Sequence, residues 1–353
     1  MADYLGGCAP LPDLIPADVQ KRRFNRRFSL VLLSAAVLYL AVGYFFSSLI
    51  IAPSPRRSVQ ASHQALLEGW GYDQDSLLRE LSTPREVDFP GSTPDVTLRA
   101  WLFDGRPGAD CGIVMAHGIT ENRANVLKYL HLFEDCGCAM LAFDHRGHGT
   151  SGGEQLTGSY FESRDVLAAQ RYLAAEKGLD PRQIAFVGES WGAAAVLVAA
   201  SQTDSVAFVL ADSPYASWRD AIVQRGDKQF GKWVRFFLPG AFLWTRLRTG
   251  ARPREASPIR FAPQITRPTL LIHGVGDTVT PYTHSERIAA EMDPAVGHVE
   301  VLDWGAWHAH NALARPGDYY AIVEAYFRQR GAWLCAPVTE VPDASIFQPT
   351  NTH

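Results

Sequence analysis

The sequence predicts an α/β fold, a mostly parallel sheet with helices on both faces, preceded by one membrane-spanning helix. Three observations lead there. Six short apolar runs, Cys111 to Ala116, Cys138 to Phe143, Ile184 to Gly188, Val206 to Ala211, Thr269 to His273 and His298 to Leu302, alternate with helix-like segments, the pattern of parallel strands buried on both faces. The 24 residues from Ser29 to Ala52 contain no charge, and at ~1.5 Å per residue a helix of that length crosses a ~30 Å hydrocarbon core. The whole chain of 353 residues is 47% apolar and 20% charged, enough to bury a sizeable core and too apolar for disorder. A net charge of −4 gives no polybasic footprint, so nucleic acid is set aside as a partner.

The elements follow in order. Residues 1–28 include Lys21, Arg22, Arg23, Arg26 and Arg27, against Arg56 and Arg57 after the span at 29–52. The positive-inside bias therefore keeps the N-terminus cytoplasmic and places the rest outside. The apolar run exceeds the ~7–15 residues of a signal peptide, and no small-residue cleavage pattern follows it, so an uncleaved anchor is expected. Residues 53–85 read as a stem closed by Thr83-Pro84. Glu86 to Phe89 and Val96 to Phe103, with Pro-Gly between them, read as an antiparallel hairpin. Ser159 and Glu162 read as a capping box before Val166, Ala169 and Leu173 at helical spacing. A strandless insertion at 214–267, rich in Trp, Phe, Arg and Lys, reads as a lid. Within it Phe230, Trp233 and Phe237 recur at i, i+3, i+7, a helical face that either packs on the core or lines an apolar acyl pocket. The hydrolytic region is assigned to 86–333, and 334–353 is expected to be an irregular tail. The five cysteines, Cys8, Cys111, Cys136, Cys138 and Cys335, are too few for a disulfide scaffold and lack zinc-ribbon spacing; Cys136-Gly-Cys138 leads into the apolar run Ala139 to Phe143 and reads as inert half-buried thiols, with a reactive pair as the alternative and the redox compartment left open.

Chemistry gathers where strands end. Gly188-Glu189-Ser190-Trp191-Gly192 follows the strand IAFVG and opens the small-residue helix AAAVLVAA. That context puts Ser190 on a tight strand-to-helix turn with Oγ exposed. His117-Gly118-Ile119 ends the first parallel strand, so the Ile119 and Trp191 N–H groups could form an oxyanion hole. Asp277, after TLLIHGVG, is preferred as the orienting acid over Asp212. His308, after the last strand, is preferred as base over His310; a His-x-His metal pair lacks a third ligand at short range. His145 and His148, in DHRGHG, read as turn packing beneath the site. Because these residues all lie beyond the stem, the chemistry is expected to survive removal of the anchor.

The segments HGIT-EN at 117–122, DHRGHGTSGG at 144–153, GESWGA at 188–193, LIHGVGDTVTP at 271–281 and GAWHAHN at 305–311 resemble the α/β-hydrolase superfamily. They look most like its membrane-anchored bacterial serine hydrolases of the serine aminopeptidase S33 and monoacylglycerol lipase type. The resemblance covers roughly 86–333 and implies Ser190 as nucleophile, Asp277 as acid and His308 as base, with no metal or organic cofactor. One departure is Trp307, where the family usually has Gly before the histidine. The implied activity is hydrolysis of acyl esters on small-molecule or lipid substrates. An aminopeptidase or thioesterase on the same residues, or a non-catalytic binding module, is the alternative. Substrate identity and oligomeric state are not specified by these motifs.

Overall fold

A computed structural model describes residues 17–333 and 335, apart from 54–55, 75, 77, 79–82 and 134–135. The segment before residue 17 and the expected tail, except Cys335, lie outside the described residues.

Eight strands form one sheet in the order β1-β2-β4-β3-β5-β6-β7-β8. The hairpin β1 (Arg85–Pro90) and β2 (Thr97–Phe103) is antiparallel and joins β4 (Ala139–Phe143) antiparallel. From β4 through β3 (Gly112–Ala116), β5 (Ile184–Glu189), β6 (Val209–Asp212), β7 (Thr269–Gly274) and β8 (Gly297–Leu302) all pairs are parallel. Strands β3 to β7 are buried at every position, which is why their sequences are unbroken apolar runs rather than alternations. One face is covered by α3 (Glu162–Lys177), through Val166, Ala169 and Leu173, and by α4 (Trp191–Ala200). The other is covered by the 3₁₀ turn Asn125–Leu132 and a C-terminal helix, Pro316–Gln329, through Val126, Leu127, Tyr319, Val323 and Phe327.

The N-terminal helix α1 runs from Ala17 to Ile51. Its large apolar residues from Phe28 to Leu38 are exposed, whereas Phe46 and Ile51 are buried in the rest of the protein. The expected stem is docked rather than free. Helix α2 (Val59–Trp70) is capped by Ser58 Oγ, which accepts from Ala61 N–H at 3.1 Å. Arg56 donates to the Ser151 carbonyl at 2.5 Å, and Tyr72 Oη donates to the Leu127 carbonyl at 2.8 Å.

Three sequence readings need correction. The capping box does not form as Ser159 with Glu162: Ser159 Oγ pairs with Tyr215 Oη at 2.6 Å, and the N-cap Phe161 has no side-chain cap. Thr157 Oγ1 accepts from Phe161 N–H at 2.9 Å while Glu162 accepts from Thr157 N–H at 2.8 Å, which closes the turn that precedes the helix. The four described cysteines are not free thiols, and Cys8 lies outside the described residues. Cys111–Cys138 and Cys136–Cys335 are disulfides with Cα separations of 4.8 and 4.3 Å; the first joins the residues just before β3 and β4, which pairing brings side by side. Finally, Phe230, Trp233 and Phe237 do not share a helix. The lid consists of α5 (Trp218–Phe230), a 3₁₀ turn (Lys232–Phe236) and α6 (Leu238–Thr249). Gly231 at φ +85° separates the first two. The three aromatics nevertheless converge on Phe46 of α1, with ring centroids 5.4, 6.1 and 6.3 Å away.

Candidate active site

Ser190 lies between β5 and α4 at φ +51°, ψ −111°, a left-handed conformation costly for a residue with a side chain. Two glycines permit the turn. A Cβ on Gly188 would come within 2.6 Å of the Gly192 carbonyl carbon, and one on Gly192 within 2.0 Å of the Ala116 carbonyl oxygen. The Ser190 N–H donates to the Asp212 carbonyl at 2.7 Å, which ties the turn to β6.

His308 and Asp277 reach this serine from the loops after β8 and β7. His308 Nε2 is 2.7 Å from Ser190 Oγ, and its Nδ1 is 2.5 Å from Asp277 Oδ2. Asp277 is fixed in turn: Oδ1 accepts from Val279 and Thr280 N–H at 2.8 Å each, and His273 Nε2 lies 3.0 Å from Oδ2. Burial opposes its charge, but the bonds from His273 and His308 outweigh that and hold the carboxyl well below the usual carboxylate range.

The rival residues are engaged elsewhere. Asp212 is fully buried and accepts from Tyr129 Oη at 3.0 Å, Tyr319 Oη at 3.1 Å and Ser213 Oγ at 2.8 Å. His310 turns Nδ1 to the His308 carbonyl at 2.5 Å and stacks on Trp70 of α2, and burial pushes it down to about 4. Trp307, which occupies the position where glycine was expected, is half exposed, stacks on His310 at 5.6 Å and meets the His308 ring edge-on at 6.5 Å. His117 sits between the candidate site and the two histidines of DHRGHG. Its Nδ1–H donates to the Gly118 carbonyl at 2.7 Å and its Nε2 accepts from His145 N–H at 3.0 Å.

Ile119 and Trp191 both line the cavity above Ser190. A Cβ on Gly118 would sit 3.4 Å from Ser190 Cβ, so the chain after β3 passes directly against the serine. Glu189 accepts the Gly118 N–H at 3.1 Å, which fixes the start of that loop.

A buried ion pair that sequence reasoning missed lies beneath these loops. Lys128 Nζ pairs with Glu189 and donates to the Ala309 carbonyl at 2.7 Å, with both side chains almost wholly inaccessible. Burial works against the Glu189 charge, yet Lys128 and Asn125 bring its carboxyl below the usual range. One lysine thus braces both the residue before Ser190 and the residue after His308. The signal available was a lone lysine inside the apolar stretch NVLKYLHL, which a buried partner would explain.

The cavity over Ser190 has a volume of about 670 Å³ and is bounded by Tyr215, Trp218 and Phe230 on the lid side. Of the three lid aromatics singled out above, only Phe230 reaches it. Its remaining apolar wall is unexpected: Phe46, Leu49 and Ile50 of α1 line it too.

Comparison with known proteins now adds to the geometry. YqkD of Bacillus subtilis, itself described as uncharacterized, is 35% identical over 183 residues, 50% of this chain and 58% of that protein. The chain thus spans less than two thirds of that relative. Among solved structures, the esterase Pf2001 of Pyrococcus furiosus superposes with a TM-score of 0.59 at 22% identity, over 79% of this chain and 98% of that one. The acylaminoacyl peptidase of Pyrococcus horikoshii superposes with a TM-score of 0.55 at 17% identity, over 78% of this chain and 46% of that one. At those identities the two structures show the α/β-hydrolase fold alone. Residues 126–328 match the model of the prolyl oligopeptidase family rather than naming the S33 type. More than half of the chain lies within that match, and the protein belongs to the prolyl oligopeptidase family, serine hydrolases of the α/β-hydrolase fold.

Proposed function

We propose that the protein hydrolyses carboxylic esters with apolar acyl chains, using Ser190 as nucleophile, His308 as base and Asp277 as the acid that orients it. The observation that supports this most directly is the unbroken hydrogen-bonded chain Asp277–His308–Ser190 opening into an apolar cavity. Ser190 Oγ attacks the acyl carbonyl as His308 Nε2 takes its proton, and the tetrahedral oxyanion is held by the Ile119 and Trp191 N–H groups. Collapse breaks the ester C–O bond, the alcohol leaves with the proton from His308, and water deacylates Ser190 by the same route to release the acid.

The family also contains peptidases, and the monoacylglycerol lipase resemblance points to esters. The cavity lining favours esters: it contains Arg225 and Lys228 but no Asp or Glu among the described residues, so nothing there pairs with the ammonium group of a peptide N-terminus. We read α1 over 29–52 as a membrane anchor with the catalytic region outside the cytoplasm. Two disulfides support an oxidising compartment. Protease added to spheroplasts should then digest the catalytic region.

Fluorophosphonate labelling tests the nucleophile: wild type should label and Ser190→Ala should not. Turnover of p-nitrophenyl esters from C2 to C12 tests the substrate class, with kcat/KM expected to rise roughly fourfold per added CH₂ until the cavity fills. A flat series with faster cleavage of aminoacyl amides would favour the peptidase reading.

A further inference from the structure

The lid and α1 are one packed unit. Gly43 of α1 and Gly240 of α6 meet backbone to backbone, a Cβ on Gly43 falling 2.9 Å from the Gly240 carbonyl carbon. Such close approach through small residues is how helices associate within lipid. Tyr39 Oη donates to the Phe236 carbonyl at 3.1 Å, and Trp244 Nε1 donates to the Leu40 carbonyl at 2.9 Å. At the other end of α6, Arg248 donates to Ser48 Oγ at 2.8 Å and lies 4.5 Å from the Tyr44 ring centroid.

These contacts are ordered along α1. The start of α6 meets it at Tyr39 and the cationic end meets it at Ser47 and Ser48, eight or nine residues on. At ~1.5 Å per residue that is about 13 Å, close to the ~15 Å of hydrocarbon in one leaflet. Charge flanks the tip on both sides, Lys232 and Arg235 before it and Arg246 and Arg248 at the far end of α6. The lid tip, Phe236-Phe237-Leu238-Pro239, carries none. Arg235, just before it, turns back to Asp227 at 2.8 Å. The outer side of the lid leaves Phe236 70% and Leu247 64% exposed, with Leu243 between them at 48%. An apolar tip with a basic collar suits one setting, a leaflet with its headgroups.

We propose that the lid is seated in the leaflet on the side of the catalytic region. The Ser190 cavity, walled in part by Phe46, Leu49 and Ile50 of the span, then receives the acyl chains of membrane lipid esters laterally from the hydrocarbon. This rests on the reading of 29–52 as a span and of Ser190 as nucleophile. It goes beyond a preference for apolar chains because it assigns the source of the substrate and makes the anchor part of the binding site.

The test uses the full chain in phosphatidylcholine–phosphatidylglycerol vesicles. A nitroxide placed by Phe236→Cys in a Cys8→Ser background should collide more with oxygen than with an aqueous nickel chelate; the reverse order overturns the proposal. The double variant Phe236→Asp/Leu243→Asp should lose at least tenfold in hydrolysis of a C16 monoacylglycerol embedded in the vesicles, while turnover of soluble p-nitrophenyl butyrate stays within twofold. An undiminished lipid rate overturns the proposal. Leu49→Trp should lower the C12-to-C4 ratio of kcat/KM at least tenfold, and an unchanged ratio removes the span from the acyl site. Fluorophosphonate labelling separates the two layers: wild type that fails to label defeats the hydrolase reading, whereas labelled enzyme with an aqueous residue 236 defeats only the seating of the lid.

Discussion

At Ser190 three loops must agree to within a hydrogen-bond length, and the residues that hold them differ from those proposed to react. Asp277→Asn and His308→Ala should each reduce kcat by at least ~100-fold with KM little changed, because each removes a link of the chain to Ser190. Asp212→Asn and His310→Ala should cost far less turnover, and a dead Asp212 variant that is fully folded would reassign the acid. The buried histidines set a pH limit. Burial pushes His131 and His310 down to about 4 and His148 to about 3, all below the unfolded value near ~6.5. The unfolded chain therefore takes up protons first, so this contribution to stability is complete above about pH 6.5 and is lost as pH falls toward 4 and then 3. Tm in detergent should be level from pH 8 to 7 and decline between pH 6 and 4, and His148→Asn should flatten that decline. A pH-independent Tm would show these rings to be solvated. The three residues that meet at Ser190 were legible in the sequence because each follows an apolar run, a one-dimensional signal. Lys128 and Glu189 were not, because an ion pair is a property of two distant positions: the lone lysine in NVLKYLHL signals a buried partner without naming it.

Among the elements, the strands were the most readable, since burial on both faces writes itself as a run of apolar residues that no loop imitates. The lid was readable as an insertion but not as a shape. The i, i+3, i+7 spacing of Phe230, Trp233 and Phe237 imitated a helical face, while Gly231 broke the helix and tertiary packing on Phe46 brought the rings together. The disulfides were illegible because pairing depends on which strand starts are neighbours, and β3 and β4 become neighbours only in the sheet. Their energetic role can be measured. The double variant Cys136→Ser/Cys335→Ser should lose roughly 2–4 kcal/mol of stability, several degrees in Tm, with dithiothreitol lowering Tm further through Cys111–Cys138. An unchanged Tm would mean that the C-terminal bridge does not form in solution.

For the whole molecule, the charge-free stretch announced one long apolar helix without revealing that its final turns line the cavity over Ser190. Its apolar partners in the lid lie some two hundred residues away, and either surface alone reads as ordinary core. Removal of α1 uncovers Phe46's partners Phe230 and Phe237, as well as Val234 and Ala241. A protein beginning at Ser58 should therefore still label with fluorophosphonate, since Ser190, Asp277 and His308 remain, but it should lose its C12-over-C4 preference at least tenfold and associate in the absence of detergent. Retention of the full preference in a monodisperse truncated protein would return α1 to the role of a plain tether.

The Cys136–Cys335 bridge joins positions 199 residues apart, and Ser190, the whole lid, Asp277 and His308 all fall inside the ring it closes. Ile119 and α1 fall outside. A single protease cut anywhere in that ring, including the exposed Lys232–Arg235 turn of the lid, opens a circle without releasing a fragment. The nicked protein would run as one band on a non-reducing gel and as two after reduction, still holding every reacting group on one covalent body, so the lid can be severed without the enzyme coming apart.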